Sequence, residues 1–208
     1  MDQSQQKSAE KERYHHGDLR AALIEGTRRL VEEKGPDHFS VAEVARAAGV
    51  SSAAPYRHFR DKDEIIAEVC KGGMERHYEQ MVRVASEYPK GSVDRVRRLG
   101  QLYVAFAQAE PGVFRLIFGS AHKPDAVEEL KGREIDTFGF VVAQVADVLG
   151  RAPDDPEAVR RAFILWTFVH GLSFLLIDDN VRYAGIHIDV EALLADVGQR
   201  VLRDVPSA

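Results

Sequence analysis

The segment from Phe39 to Lys62 constrains the fold of this chain more than any other part of its sequence. It reads F-S-V-A-E-V-A-R-A-A-G-V-S-S-A-A-P-Y-R-H-F-R-D-K. Ser40 and Glu43 have the spacing of a capping box, which predicts that a short helix begins here. Gly49 predicts the turn that ends it. A further short helix is predicted over residues 51–59, with a proline tolerated in its first turn.

The rest of the chain keeps the apolar periodicity of helices. A first helix is predicted after Asp18 and ends at Gly35-Pro36, and a long helix is predicted from Asp61 to about Glu87. Later helices are predicted to begin at Ser92, Pro111, Pro124, Pro156 and Asp189. Because no strand-period segment competes, the predicted fold class is all-α. We expect about nine helices, with a three-helix head that contains a helix-turn-helix and a larger helical body.

Composition limits the domain organisation and the location of the protein. Residues 1–13 are polar and are predicted to be a disordered tail, residues 14–62 the head and residues 63–208 the body. The net charge of −5 argues against a chain that coats nucleic acid, although residues 1–62 carry +1 and the remainder −6. A single cysteine and the lack of a signal-peptide pattern predict a cytoplasmic protein without a membrane partner.

Small residues and hydrogen-bond donors mark the predicted helix over residues 51–59. Two short helices around a glycine turn also form ordinary helical hairpins. That alternative does not explain why Ser51, Ser52 and Ala54 precede Tyr56 and Arg57. Small side chains allow close approach to a major groove, and hydroxyls and cations bind phosphates and base edges. The pattern therefore favours DNA binding.

The stretch V-A-E-V-A-R-A-A-G-V-S-S-A-A-P-Y-R-H-F-R-D-K-D-E-I resembles the N-terminal domain of the TetR family of bacterial transcriptional regulators. The resemblance covers roughly residues 14–66 and is most specific at Y-x-H-F-x-x-K, residues 56–62. It implies that Ser40 and Lys62 contact phosphate and that Tyr56 and His58 contact the DNA backbone. It also implies that base edges lie near residues 51, 52 and 54.

The sequence departs from the family pattern at two positions and has a basic segment before the matched stretch. Ala53 and Ala54 stand where many members have Gly and Thr, so base readout is expected to depend on Ser51, Ser52 and Arg57. The preceding segment R-Y-H-H-G begins at Arg13, and a basic arm there can reach the minor groove. Its adjacent histidines lack the cysteine or carboxylate support of a metal site.

The body contains W-x-x-x-H-G at residues 166–171, which resembles a TetR subgroup with a Trp-His-Gly C-terminal domain. Either a core role or a pocket-lining role explains these residues. The candidate ligand-binding side chains are predominantly aromatic and suggest an apolar or aromatic effector. They are Tyr103, Phe106, Phe114, Phe118, Phe138, Trp166, His170 and Phe174. The last two helices, roughly residues 156–178 and 189–203, are predicted to form a homodimer.

The predicted function is that of a TetR-like repressor released from a palindromic operator by a small-molecule inducer. The alternative is an all-α ligand carrier or adaptor that no longer binds DNA. The segment G-S-A-H at residues 119–122 lacks the flanks of a nucleophile elbow, and the histidines have no metal-ligand spacing. We therefore predict no enzyme activity, no cofactor and no metal.

Overall fold

The computed structural model describes the backbone of residues 3–119, 128–180, 185 and 187–203, and the side chains of residues 19–119, 137–180, 185 and 187–203. Within the described backbone there are eight α-helices, one 3₁₀ helix and no strand, so the predicted all-α fold class is confirmed there. The α-helices are α1 (Gln3–Lys34), α2 (Val41–Ala47), α3 (Lys62–Ser86), α4 (Val93–Ala109), α5 (Pro111–Phe118), α6 (Glu128–Leu149), α7 (Pro156–Ile177) and α8 (Val190–Leu202). The 3₁₀ helix comprises Pro55–Arg57.

Helix α1 begins earlier than the sequence predicts. Its backbone is helical from Gln3, so a helix replaces the disorder predicted for residues 3–13 and the start predicted after Asp18. This segment contains Gln, Ala, Glu and Lys and no Gly or Pro, so its intrinsic helix propensity is high. The end at Lys34 agrees with prediction, because Gly35 takes a φ of 80° and donates its N–H to the Val31 carbonyl. The start predicted at residue 124 lies outside the described residues.

The chain divides into two compact units. One contains Met1–Gly73 and Gly112–Leu130, and the other contains Met74–Pro111 and Lys131–Ala208. Helix α3 contributes residues to both units. The functional boundary predicted between residues 62 and 63 stays a prediction.

The first unit has a core made by α1, α2 and the start of α3. Leu23 and Val31 of α1, Val44 of α2 and Ile65 of α3 are all at most 1% exposed. Helix α2 packs against α1, and the 3₁₀ helix packs against α2. The segment that follows Gly49 contacts this core through the 3₁₀ helix.

A carboxylate of α1 caps the N-terminus of α5 in the same unit. The backbone N–H groups of Gly112 and Val113 donate to the two carboxylate oxygens of Glu32 at 2.8 and 2.9 Å. The approach is so close that a Cβ at residue 112 would lie 2.7 Å from the carbonyl oxygen of Val31. Glycine is therefore required at this contact, since a Cβ cannot sit that near a backbone atom.

The second unit is a helical body in which α4 packs against α7 and α8, and these two helices pack against each other. Asp155 and Asp189 cap α7 and α8, as their sequence positions predict. One buried cluster joins α4, α6, α7 and α8. Its members are Val96, Val142, Val145, Ala162 and Leu202.

Helix α7 has a buried face and an exposed apolar face. Val169 and Leu172 are buried, whereas the side chains of Phe163 and Leu175 are 53% and 48% exposed. By length and composition, α7 is the one helix in the described part of the chain that could cross a membrane, although core helices of soluble proteins pass the same test. The buried face of α7 packs against α4 and α8. Its other apolar face is exposed to solvent in a single chain.

Candidate DNA-binding and effector sites

A complete capping box fixes the start of α2. The Ser40 hydroxyl accepts the Glu43 N–H, and the Glu43 carboxylate accepts the Ser40 N–H at 2.9 Å. The Lys34 ammonium donates to the same carboxylate at 2.6 Å. This ammonium and the bonds from Ser40 lower the pKa of Glu43 to about 2. Ser40, a predicted phosphate contact, is thus exposed but already engaged at the helix start.

The turn after α2 is a Schellman motif. The N–H of Val50 donates to the Ala45 carbonyl at 2.9 Å, and that of Gly49 donates to the Arg46 carbonyl at 3.1 Å. Gly49 has a φ of 70°, which glycine adopts without strain. The turn therefore fixes the direction in which the chain leaves α2 and enters residues 51–59, the predicted DNA-binding segment.

The helix predicted over residues 51–59 is wrong in type. The structure has a turn followed by the 3₁₀ helix. Pro55 has no N–H, so it cannot make the α-helical bond to the Ser51 carbonyl, and that carbonyl instead accepts the Ala54 N–H at 3.0 Å. The i→i+3 pattern continues, with the Arg57 N–H donating to the Ala54 carbonyl and the His58 N–H to the Pro55 carbonyl.

The predicted DNA contacts in this segment differ in exposure. Ser51, Ser52 and Arg57 are exposed, and the Tyr56 side chain is 61% exposed. Ala54 and His58 are half-buried, whereas Pro55 and Phe59 are buried. The backbone of Arg13 lies in α1, and its side chain lies outside the described side chains. Buried residues thus alternate with exposed donors along one short segment.

Lys62 ties the start of α3 to the start of α2. Its ammonium donates to the Phe39 carbonyl at 2.8 Å and lies 4.1 Å from the centre of the Phe39 ring. Asp61 caps α3 by accepting the Glu64 N–H at 2.9 Å. Lys62 therefore has a structural role besides its predicted phosphate contact, and sequence analysis did not reveal it because the bond joins residues 23 positions apart.

Arg20 is a second cation that the sequence analysis missed. Its guanidinium lies 5.1 Å from the centre of the Phe59 ring and forms an ion pair with Glu68 at 3.1 Å. Such a stack holds Phe59 in place from the α1 side. Its place on α1, three residues before the buried Leu23, was the only signal in the sequence.

Aromatic rings of the second unit form a continuous series. The Phe138 and Trp166 ring centres are 5.6 Å apart, those of Trp166 and His170 5.5 Å, and those of His170 and Phe174 5.1 Å. The Tyr103 hydroxyl and His170 Nδ1 share a hydrogen bond of 2.8 Å. The structure thus brings together five of the predicted ligand-binding residues.

Phe106 joins this series through His77, which the sequence did not mark as a candidate. His77 stacks on Phe106 with ring centres 4.8 Å apart, and its edge meets Tyr103 at 5.6 Å. His77 is 1% exposed, and neither ring nitrogen has a hydrogen-bond partner. Burial lowers the pKa of His77 to about 4, so its imidazole is neutral at pH 7. Burial also lowers the pKa of His170.

Phe114 and Phe118 belong to the first compact unit. Their ring centres are 4.8 Å apart within the first unit, where Phe114 is fully buried. A Cβ at Gly171 would meet none of the described residues within 4 Å, so no close helix approach among them requires this glycine.

The described residues contain no group of three or more His, Cys, Asp or Glu side chains that could hold a metal ion. The side chains of His15, His16 and His122 lie outside the described part. Asp178 and Asp179 end α7 as exposed residues. The buried Cys70 has its pKa raised to about 12 by desolvation, which makes it an inert thiol at neutral pH.

Two family models match this chain. The model of bacterial regulatory proteins of the tetR family matches residues 23–69, and the model of the tetracyclin repressor-like C-terminal domain matches residues 96–199, half of the chain. The first match contains the capping box, the Schellman turn and the exposed Tyr56, and the second contains most of the aromatic series. The chain therefore belongs to the TetR family of DNA-binding transcriptional regulators.

Individual relatives agree with this assignment. The nucleoid occlusion factor SlmA of Vibrio vulnificus strain YJ016 is 28% identical over 131 residues, which cover 62% of this chain and just under two thirds, 66%, of that protein. A protein of unknown function from Rhodococcus sp. RHA1 has a TM-score of 0.74 and 27% identity, with 91% of this chain and 96% of that chain covered. The regulator FadR of Bacillus subtilis in complex with stearoyl-CoA, at 12% identity and a TM-score of 0.67, covers 89% of this chain and 98% of its own and shares the fold.

Proposed function

We propose that this regulator is a repressor that binds a palindromic operator as a homodimer and leaves it when a small molecule binds the body. The observation that carries the proposal is the 61% exposed Tyr56 beside the exposed Arg57, on a segment anchored by the buried Pro55 and Phe59. Because the segment is anchored, its exposed tyrosine and arginine lose little conformational entropy when they bind. Such side chains are suited to contacts with phosphate.

Within that segment we assign two kinds of contact. Tyr56, His58 and Lys62 are proposed to bind the phosphate backbone, together with Ser40 and Arg13. Ser51, Ser52 and Ala54 lie one turn earlier and are proposed to approach base edges, with Arg57 adding a charged donor. The start of α3 adds N–H groups that can face a phosphate beside the Glu64 N–H, which Asp61 already accepts.

The dimer is supported by the exposed apolar face of α7. Val159, Phe163, Ile164 and Leu175 are 38–53% exposed, more apolar surface than a single chain normally leaves uncovered on one helix. Pairing α7 and α8 with their copies in a four-helix interface would cover it. Binding to a palindrome requires the two copies of residues 51–59 to lie roughly 34–36 Å apart, one turn of DNA.

The dimer proposal is tested by Phe163→Glu, which places a charge in the centre of this face. We expect sedimentation at micromolar concentration to show a monomer, while Val82→Glu, a 43% exposed control position on α3, leaves the dimer intact. A Phe163→Glu protein that remains dimeric would place the interface elsewhere.

The effector is proposed to bind among the aromatic residues of the second unit. Rings that stack on one another offer an apolar lining, and the FadR structure of the same fold contains stearoyl-CoA. We infer an apolar or aromatic molecule. Release requires that the effector and the operator favour different conformations, and α3, which contributes residues to both compact units, is the proposed link. We place the protein in the cytoplasm, where its DNA target lies, and propose no enzyme activity.

The decisive experiment is fluorescence anisotropy with the DNA that flanks the protein's own gene. We expect a palindrome-dependent complex that weakens steeply with salt. Tyr56→Ala and Lys62→Ala should weaken binding to all sequences, and Lys62→Ala should reduce the salt slope by about one unit. Arg83→Ala removes the same charge from an exposed position on α3 and serves as the control. No specific complex would instead favour the ligand carrier.

The two kinds of contact are separated by base preference. Ser51→Ala or Ser52→Ala should change which operator variants are bound, whereas Tyr56→Phe should weaken all of them equally. If both kinds of variant behave alike, the assignment of roles is wrong. In vitro transcription from the flanking promoter then distinguishes a repressor from an activator.

A further inference from the structure

His77 is a polar residue in a place where the surrounding structure favours an apolar one. It stacks on Phe106, meets the edge of Tyr103 and is 1% exposed, with both ring nitrogens unpaired. A phenylalanine would fill nearly the same volume without leaving a buried donor and a buried acceptor unsatisfied. Unpaired buried polar groups of this kind destabilise a fold, so packing alone does not account for the imidazole.

The position of His77 relates it to the proposed effector site. The Tyr103 ring that meets its edge also bonds His170, and His170 continues the aromatic series on α7. His77, Tyr103 and His170 therefore place imidazole and hydroxyl groups within one otherwise apolar region of the second unit. A few polar groups among aromatic rings are the features that orient a small ligand in a binding pocket.

We propose that His77, beside the Tyr103–His170 pair, binds a neutral polar group of the effector. This inference rests on the effector proposed above and narrows its class to an apolar or aromatic molecule that carries a hydroxyl or an amide. A neutral imidazole has one donor nitrogen and one acceptor nitrogen on diverging sides of the ring, and a hydroxyl or an amide can bond either of them. A carboxylate can bond only the donor nitrogen and would be costly to bury beside a neutral ring.

The same feature explains how the effector could favour one conformation. In the described conformation His77 is closed off from solvent, so a ligand must open this region to reach it. The opened conformation gains a hydrogen bond to His77 that the closed one lacks. A ligand shifts an equilibrium by its difference in affinity for the two conformations, and this bond supplies such a difference.

A set of three naphthalene probes tests the proposal, because they share one ring system and differ in one group. We expect 2-naphthol to bind the full chain, measured by its fluorescence, at least about tenfold more tightly than naphthalene and 2-naphthoate. His77→Phe should remove that preference, and His77→Gln, which keeps a donor and an acceptor, should retain most of it. Met81→Leu, a core change one turn further along α3, should alter 2-naphthol binding less than about twofold.

Two outcomes would overturn the proposal. One is a wild-type protein that fails to bind 2-naphthol or binds all three probes alike, and the other is a His77→Phe protein that keeps the preference. Probe binding is measured without DNA, so a protein that prefers 2-naphthol but binds no operator would refute the repressor and leave this site standing. If His77→Phe does not fold, His77→Leu, which also removes both ring nitrogens, should lose the preference, and a His77→Leu protein that keeps it would overturn the proposal.

Discussion

Replacing Gly112 by alanine tests the close contact between α5 and α1 in the first unit. The new Cβ would lie 2.7 Å from the Val31 carbonyl oxygen and 3.0 Å from Oε2 of Glu32. A backbone atom cannot rotate away, so α5 must shift by several tenths of an ångström and strain both bonds to the Glu32 carboxylate. Overpacking of this kind costs about 1–3 kcal/mol. We expect a net loss near 2 kcal/mol, since the gain in helix propensity offsets part of the strain.

Gly139→Ala provides the matched control. Gly139 is exposed within α6, and a Cβ there would meet nothing within 4 Å. The same substitution should therefore stabilise the protein by roughly 0.5–1 kcal/mol.

The assay is thermal unfolding followed by far-ultraviolet circular dichroism, at one protomer concentration because dimerisation affects Tm. For a chain of this length, Gly112→Ala should lower Tm by about 4–8 °C and Gly139→Ala should raise it by a few degrees. Because Glu32→Ala removes one of the two close neighbours, the double variant with Gly112→Ala should lose less than the two single losses combined. If the two alanine variants melt alike, the close approach of Gly112 to α1 does not exist.

Other predictions concern capping, thiol reactivity and pH. Ser40→Ala should lose about 1 kcal/mol in urea unfolding, while the exposed Ser52→Ala changes it little; equal losses would contradict the capping role. Cys70 should resist iodoacetamide at pH 8 until the chain unfolds, since its pKa of about 12 leaves almost no thiolate. The pKa of His77 falls from 6.5 unfolded to about 4 folded, so the unfolded chain binds the additional proton and stability should decline as pH falls through this window. His77→Phe should flatten that decline, and an unchanged profile would show that His77 is not buried as a neutral ring.

Helix starts were predictable because their causes lie within a few residues. Ser40 and Glu43 bond each other's backbone across three positions, and Asp155 and Asp189 accept N–H groups two or three residues ahead. The end of α2 at Gly49 follows from the same local logic, since only a residue that tolerates positive φ completes the turn. The position of the candidate DNA-binding segment after this turn was predictable to the same extent, although its helix type was not.

Predictions failed where local preferences were weighed wrongly or where distant residues decide. The helix predicted over residues 51–59 was wrong in type for a local reason. The missing N–H of Pro55 limits where a helix can start and also changes which carbonyl bonds can form, so a 3₁₀ helix forms there. The early start of α1 was also missed for a local reason, since polar residues with high helix propensity were taken for a disordered tail. His77 was overlooked for a different reason, since spacing along the chain does not show which rings surround a side chain.

The sequence by itself determined the helical class, the caps and the turn that orients the proposed reading segment, because hydrogen bonds across three or four residues depend only on local chemistry. Tertiary structure alone decided which groups meet across the chain. Glu32 caps a helix 80 residues away, and Tyr103 bonds a histidine 67 residues away. It also left His77 buried without a partner and the apolar face of α7 exposed. Burial and long-range proximity are properties of the packed chain, and no local pattern encodes them.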